Sequence, residues 1–261
     1  MFAKNSLVRF PAVSSLVVMV GAALLVPVVA ATVIDAAKPA AAAKAADLAV
    51  AAEELAKSLE PTVTNAGSFK SGADEVEHKG YIIALLANAV AESEGDAPWK
   101  ANALAVRDAA LTLAKAKSQP NADKAYKELQ ALFGGGKGGE GKPMKYLDVA
   151  SLEHVMKEVN ERDKQLNRNI KGTAFARSKA KVAQDANVWA LLAAVARADT
   201  ATAEKMKKPQ ADFEKHSDAF FAGAKSLAAA AAKGDQAAAT EARKTTKAAC
   251  TNCHSDFRIT E

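Results

Sequence analysis

Aromatic side chains are scarce in this chain of 261 residues: Phe, Trp and Tyr together make 5%. Strands draw on aromatic and β-branched residues, so an all-β fold is excluded. Cysteine is scarcer still, with two residues, which excludes a disulfide-built scaffold. Charge of one sign is not in excess either, since 35 Lys and Arg face 30 Asp and Glu for a formal net charge of +5. A nucleic-acid-binding protein concentrates basic charge on one face, and without such a concentration nucleic acid is not an expected partner. There is no Ser/His/Asp set, no convincing pair of carboxylates and no distal histidine for peroxide chemistry. The chain is therefore not expected to be an enzyme.

What the chain has is alanine, 63 of its 261 residues. Alanine is the strongest helix former. The apolar share of 49% and charged share of 25% are those of a globular protein, so the expectation is a packed, mostly helical fold.

The first 34 residues read as an address. Lys4 and Arg9 precede an uncharged run from Pro11 to Ile34, and small residues follow at Ala30-Ala31. This is the pattern of a secretory signal, and its length also allows an uncleaved membrane anchor. Gly21 and Pro27 interrupt the run, which favours a cleaved signal. The expected location is therefore the periplasm, soluble or anchored by the N-terminus.

Helical patterns follow over residues 47–59, stopped by Pro61; over 74–93; over 98–117, opened by Pro98; and over 121–133, with Asn121 as a cap. Six glycines in the ten residues from Gly134 to Pro143 then read as a flexible linker. No Gly-Lys-Ser/Thr occurs there, so it is not a phosphate loop. Beyond it lie patterns over 144–171, ended by Gly172, over 175–203, over 209–233, and from a cap at Asp235 to about Phe257. Ile83-Ala-Leu-Leu-Ala87 echoes Trp189-Ala-Leu-Leu-Ala193, and Pro98 echoes Pro209. The expected fold is all-α: two four-helix up-down bundles in series. The expected domains are 1–34 (signal or anchor), 35–133 (a bundle without cysteine, packed around Trp99, Tyr81 and Tyr126), 134–143 (linker) and 144–261.

Chemistry concentrates at the end of the chain, in Cys250-Thr-Asn-Cys253-His254. Cys-x-x-Cys-His is the attachment signature of c-type haem: two thiols add to the haem vinyl groups and the next imidazole reaches the iron. A thioredoxin-like pair would sit in a strand–helix context, and a zinc site would need a fourth ligand at the usual spacing. Gly234-Asp235 opens the last helix, and the run Cys250-Thr-Asn-Cys253-His254-Ser-Asp256-Phe257-Arg258 closes it. Together they resemble the class II cytochromes c, the family of cytochrome c prime and its low-spin relatives, over about Tyr146 to Arg258. The resemblance implies four antiparallel helices with one covalent haem c near the end of the fourth. It makes Cys250 and Cys253 the thioether anchors and His254 the proximal iron ligand, with Arg258 close to the proximal side.

The sixth ligand separates two functions, since an open iron suits gas binding and Met/His ligation suits electron transfer. Val149, Leu152, Met156, Val159, Asp163, Leu166 and Ile170 form one 3-4-spaced seam. In the family the distal residue lies about four turns before the glycine that ends the first helix, and here that register gives Met156. As a flexible side chain, Met156 also suits core filling. Leu152 replaces an arginine often found one turn before the distal residue. His154 is about 200° round the helix from Met156 and is expected at the surface, as are His78 and, at the solvent edge, His216. Trp189, Phe175, Phe213 and Phe220 either wall the haem or pack the core. The expectation is an exported one-electron carrier with His254 and Met156 on the iron, whose partner is another redox protein. Two alternatives stand beside it: a five-coordinate protein binding nitric oxide or carbon monoxide, and an adaptor in which haem holds the second bundle together. The family is often dimeric, so the resemblance also allows a homodimer.

Overall fold

The computed structural model describes residues 38–139 and 141–257, and these carry ten α-helices and two short 3-10 turns. No strand occurs among them. The chain divides into Met1–Ala31 and Thr32–Glu261, and every described residue belongs to the second unit. The candidate signal or anchor over 1–34 and Arg258 lie outside the described residues. Among the described residues no helix is long and apolar enough to cross a membrane.

The first four helices are α1 (Ala45–Val63), α2 (Ala66–Glu92), α3 (Ala103–Ala114) and α4 (Gln119–Phe133). Their ends depart from the sequence pattern for local reasons. Pro61 does not stop α1, because it falls in the last turn, where one lost backbone bond costs the helix little. The cap of α2 is Asn65, whose side chain accepts from Ser68 N at 2.9 Å, so this helix starts earlier than Asp74. Pro98 precedes a 3-10 turn at Lys100–Asn102, and α3 opens only after it. For α4 the N-cap position is Ser118, not Asn121.

The second half holds α5 (Tyr146–Val149), α6 (Leu152–Asn169), α7 (Ala174–Arg197), α8 (Ala201–Met206), α9 (Gln210–Lys233) and α10 (Gln236–Phe257). The pattern over 144–171 is not one helix. Ala150 is extended, with φ −138° and ψ 127°, and Ser151 restarts the chain by accepting from His154 N. Likewise the pattern over 175–203 breaks after Arg197, where Asp199 accepts from Thr202 N at 3.1 Å to begin α8. Gly234 ends α9 at φ 72°, a left-handed cap that glycine adopts without strain. Asp235 then accepts from Ala238 N at 2.9 Å, as its position predicts.

The fold is all-α, with two four-helix sets in series: α1 to α4, then α6, α7, α9 and α10. One apolar core runs through both sets. Its centre is made by residues 82–90 of α2 and 188–196 of α7, which are buried without a break. A helix apolar all round must be enclosed on all sides. Accordingly α2 packs against α1, α3 and α6, and α7 against α1, α6 and α9.

Polar contacts reinforce the junction. Asn88 bonds the backbone of Met144 in both directions at 3.0 Å, Tyr146 donates to Glu92, and Asn187 donates to Asp47 at 2.8 Å. The glycine-rich segment, read as a flexible linker, is instead laid on α3 and α4. Asn102 donates to Gly136 O at 2.7 Å, and Arg107 donates to Lys142 O at 2.5 Å. A Cβ on Gly138 would stand 2.2 Å from that of Ala105, so glycine here permits close packing.

An ionic chain also runs from the core to the surface. Arg162, 4% exposed, pairs with Glu158 at 2.6 Å and Asp185 at 2.7 Å, and Lys181 joins Asp185 at 2.8 Å to Glu54 at 2.6 Å. Burial opposes ionisation of Glu158, but the Arg162 guanidinium and the His78 imidazole outweigh it and hold its carboxyl below the usual range. A lowered folded-state pKa means stability that is complete above about pH 4.5 and is lost as the pH falls through the folded value. Glu158→Gln should cost about 1.5–3 kcal/mol at pH 7, because Arg162 loses one of its two buried carboxylate partners and keeps Asp185, and should flatten the acid end of the stability profile. Urea unfolding across pH measures both. An acid profile as steep as wild type would assign the loss to other carboxylates.

Candidate functional site

The last helix carries the reactive residues. Cys250 and Cys253 stand three apart on α10, which puts both thiols on one face, and His254 falls one turn after Cys250. Both cysteines are half-buried, while His254 is exposed. Burial pushes the Cys250 thiol up, and burial together with Cys250 and Asp256 pushes the Cys253 thiol up to about 11. A redox-active thiol pair needs the opposite shift and a strand–helix context. Neither is present among the described residues.

All three residues line a cleft of about 830 Å³. It lies between the Leu152–Asp163 part of α6 and the Lys247–Phe257 part of α10, with α7 and α9 behind. Trp189 and Phe220 form one wall, packed edge to face at 5.4 Å and continuous with the main core. Phe213 and Phe257 form another, edge to face at 5.2 Å, and belong to a separate small apolar cluster with Ala203. Trp189 is held by its own N–H, which donates to Val159 O at 3.1 Å. Farther along, α6 and α10 are laced together: Arg243 pairs with Asp163 at 2.6 Å, Lys247 with Asp163 at 3.1 Å, and Gln236 donates to Ile170 O at 2.7 Å. Asp163, the acidic member of the apolar seam, is there to bind these cations.

Met156 and Leu152 enter the cleft from α6, both half-buried. The cleft therefore brings Met156, Cys250, Cys253 and His254 together across 94 to 98 residues of sequence. Of the four aromatics considered, Trp189, Phe213 and Phe220 line it, whereas Phe175 is buried in the core away from it. Sequence reading missed Phe257, which a spacing of four from Cys253 would have put on the same face. His216, expected at the solvent edge, is half-buried. That imidazole lines the cleft and bonds Asp256 at 3.0 Å, while Lys208 holds the other Asp256 oxygen at 3.1 Å. Those two hydrogen bonds, from Lys208 first and His216 second, draw the Asp256 carboxyl below its usual range.

A planar apolar group fits this arrangement. The volume lies within the usual 300–1,000 Å³ of cofactor sites, the walls are mostly apolar and aromatic, and members of two apolar clusters line it. The donors, two thiols with an imidazole beside them and a thioether on the facing helix, are those that haem c uses. Residues 148–258 match the model of the family described as Cytochrome C'.

The second half of this chain belongs to the cytochrome c′ family. The match begins inside α5 and runs through α10, so it contains the whole cleft and leaves α1 to α4 outside. The cytochrome c′ half is a c-type haem cytochrome, and the family's cofactor is covalently attached haem c with its iron. Neither the curated proteins nor the solved structures compared with the chain match it.

Proposed function

We propose that the protein is an exported one-electron carrier, with Cys250 and Cys253 anchoring the haem and His254 and Met156 as its axial ligands. The observation that carries this reading is that His254 of α10 and Met156 of α6 line the same cleft from facing helices. Bound there, haem c supplies an iron that cycles between two oxidation states, with a potential raised by thioether ligation.

The chain does the rest. Cys250 and Cys253, near the end of α10, would hold the group through two thioether links. Trp189, Phe213, Phe220 and Phe257 exclude water and so favour the iron state of lower charge. The Lys208–Asp256–His216 set ties α10 to the start of α9, which keeps the His254 turn in place as charge changes. A rigid six-coordinate site needs little rearrangement on electron transfer, and the continuous core behind α7 supplies that rigidity.

Optical spectra of the haem-loaded chain test the reading. Oxidised and reduced spectra should be low-spin and unchanged by carbon monoxide. A high-spin spectrum that shifts with carbon monoxide would replace electron transfer by gas binding.

A further inference from the structure

A second cluster of ligand-type residues lies away from the cleft, where the two halves meet. His78 of α2 and Glu158 of α6 are each 1% exposed, and Glu161 sits one turn along from Glu158, half-buried. One ligand atom from each of the three comes within 4.8 Å of the others. His78 Nε2 and Glu158 Oε2 approach to 3.4 Å, yet among the described residues neither atom has a hydrogen-bond partner. Two polar atoms that meet in a dry site without a well-formed hydrogen bond are poorly satisfied.

We propose that His78, Glu158 and Glu161 form a binding site for a divalent transition-metal ion of the zinc type. The separation is the first argument. Two ligands each about 2.05 Å from a tetrahedral ion stand about 3.3 Å apart, close to the observed contact. The other face of the His78 ring is the second. Its Nδ1 lies 3.4 Å from Nδ1 of His154, which is itself stacked on Tyr81 with ring centroids 4.7 Å apart. With an ion bound, His78 would keep its proton on Nδ1, toward His154, and turn the Nε2 lone pair to the ion in place of its contact with Glu158. A metal-bound histidine is oriented in this way by a partner on its outer nitrogen. Charge is the third. A cation held there would lie against two carboxylates, Glu158 and Glu161. An imidazole with two carboxylates suits zinc, whereas calcium takes six to eight oxygens. Placed there, the ion would clamp α2 of the first half to α6 of the second.

The test uses the haem-loaded full chain, so that Cys250, Cys253 and His254 are engaged elsewhere. The protein is stripped with a chelator, then equilibrated with zinc, and metal is measured against haem iron. One zinc per iron is expected. Glu161→Gln, at a half-exposed position that leaves the helix intact, should weaken binding by at least about tenfold in calorimetric titration, with haem spectrum and helix content unchanged. His78→Gln should do the same. Wild-type protein that retains no stoichiometric zinc would overturn the proposal, and so would equal zinc affinity in wild type and both variants.

Discussion

A chain carrying Cys250→Ala and Cys253→Ala should leave a haem-attaching cell without covalent haem, and its two halves should then melt together at a lower temperature. The first part follows from chemistry, since these are the only two thiols in the sequence. The second follows from packing. Without a group between them, Trp189 and Phe220 on one wall and Phe213 and Phe257 on the other face open volume of about 830 Å³. A ligand held far above its dissociation constant stabilises by about 4 kcal/mol, so its loss should lower Tm on the order of 10 °C in a chain of this size. Because α1 packs on α7, α2 packs on α6, and one core spans both, the loss should not stay in the second half. Haem staining after denaturing electrophoresis reads the first effect and far-ultraviolet circular dichroism the second. Two separate transitions, with the first half unmoved, would show independent bundles.

Replacing Met156 by alanine should convert a low-spin haem to a high-spin one that takes up carbon monoxide. Met156 is half-buried in the cleft wall and approaches from the helix facing α10. A methyl side chain at that position cannot reach across, so the sixth position would open. The potential should fall by roughly a tenth of the ~0.8 V that axial ligands span, because the thioether no longer favours the reduced iron. Leu152→Ala, on the same helix face and also in the cleft, is the control and should leave the spin state unchanged. An unchanged spectrum in Met156→Ala would make Met156 a packing residue and send the function toward gas binding.

The sequence made one face of α6 legible and hid the face beside it. The 3-4 spacing through Val149, Met156, Val159 and Leu166 marks the face turned to the cleft and core, and all of these residues are buried or half-buried. On the adjoining face, Val155, Glu158 and Arg162 are buried too, because α2 and α7 cover them. Glutamate and arginine carry no apolar signal, so nothing in the local pattern announces that burial. His78 was read as a surface residue for the same reason. Its environment is set by His154 and Glu158, which lie 76 and 80 residues away.

Composition and short-range chemistry alone determined the helical class, the caps at Asp235 and Gly234, the attachment motif at Cys250-x-x-Cys253-His254 and the 3-4 seam that contains Met156, while the register that singles out Met156 is what the family resemblance implies. Each depends on residues within a few turns of one another, where helical geometry is nearly invariant. Tertiary structure alone decided that the glycine run is a packed strap, that α2 and α7 form a shared centre, and that His78 meets Glu158 out of water. Those outcomes depend on which helix faces which. That choice is made by burying apolar area and pairing buried charge across the whole chain, and no local window contains it.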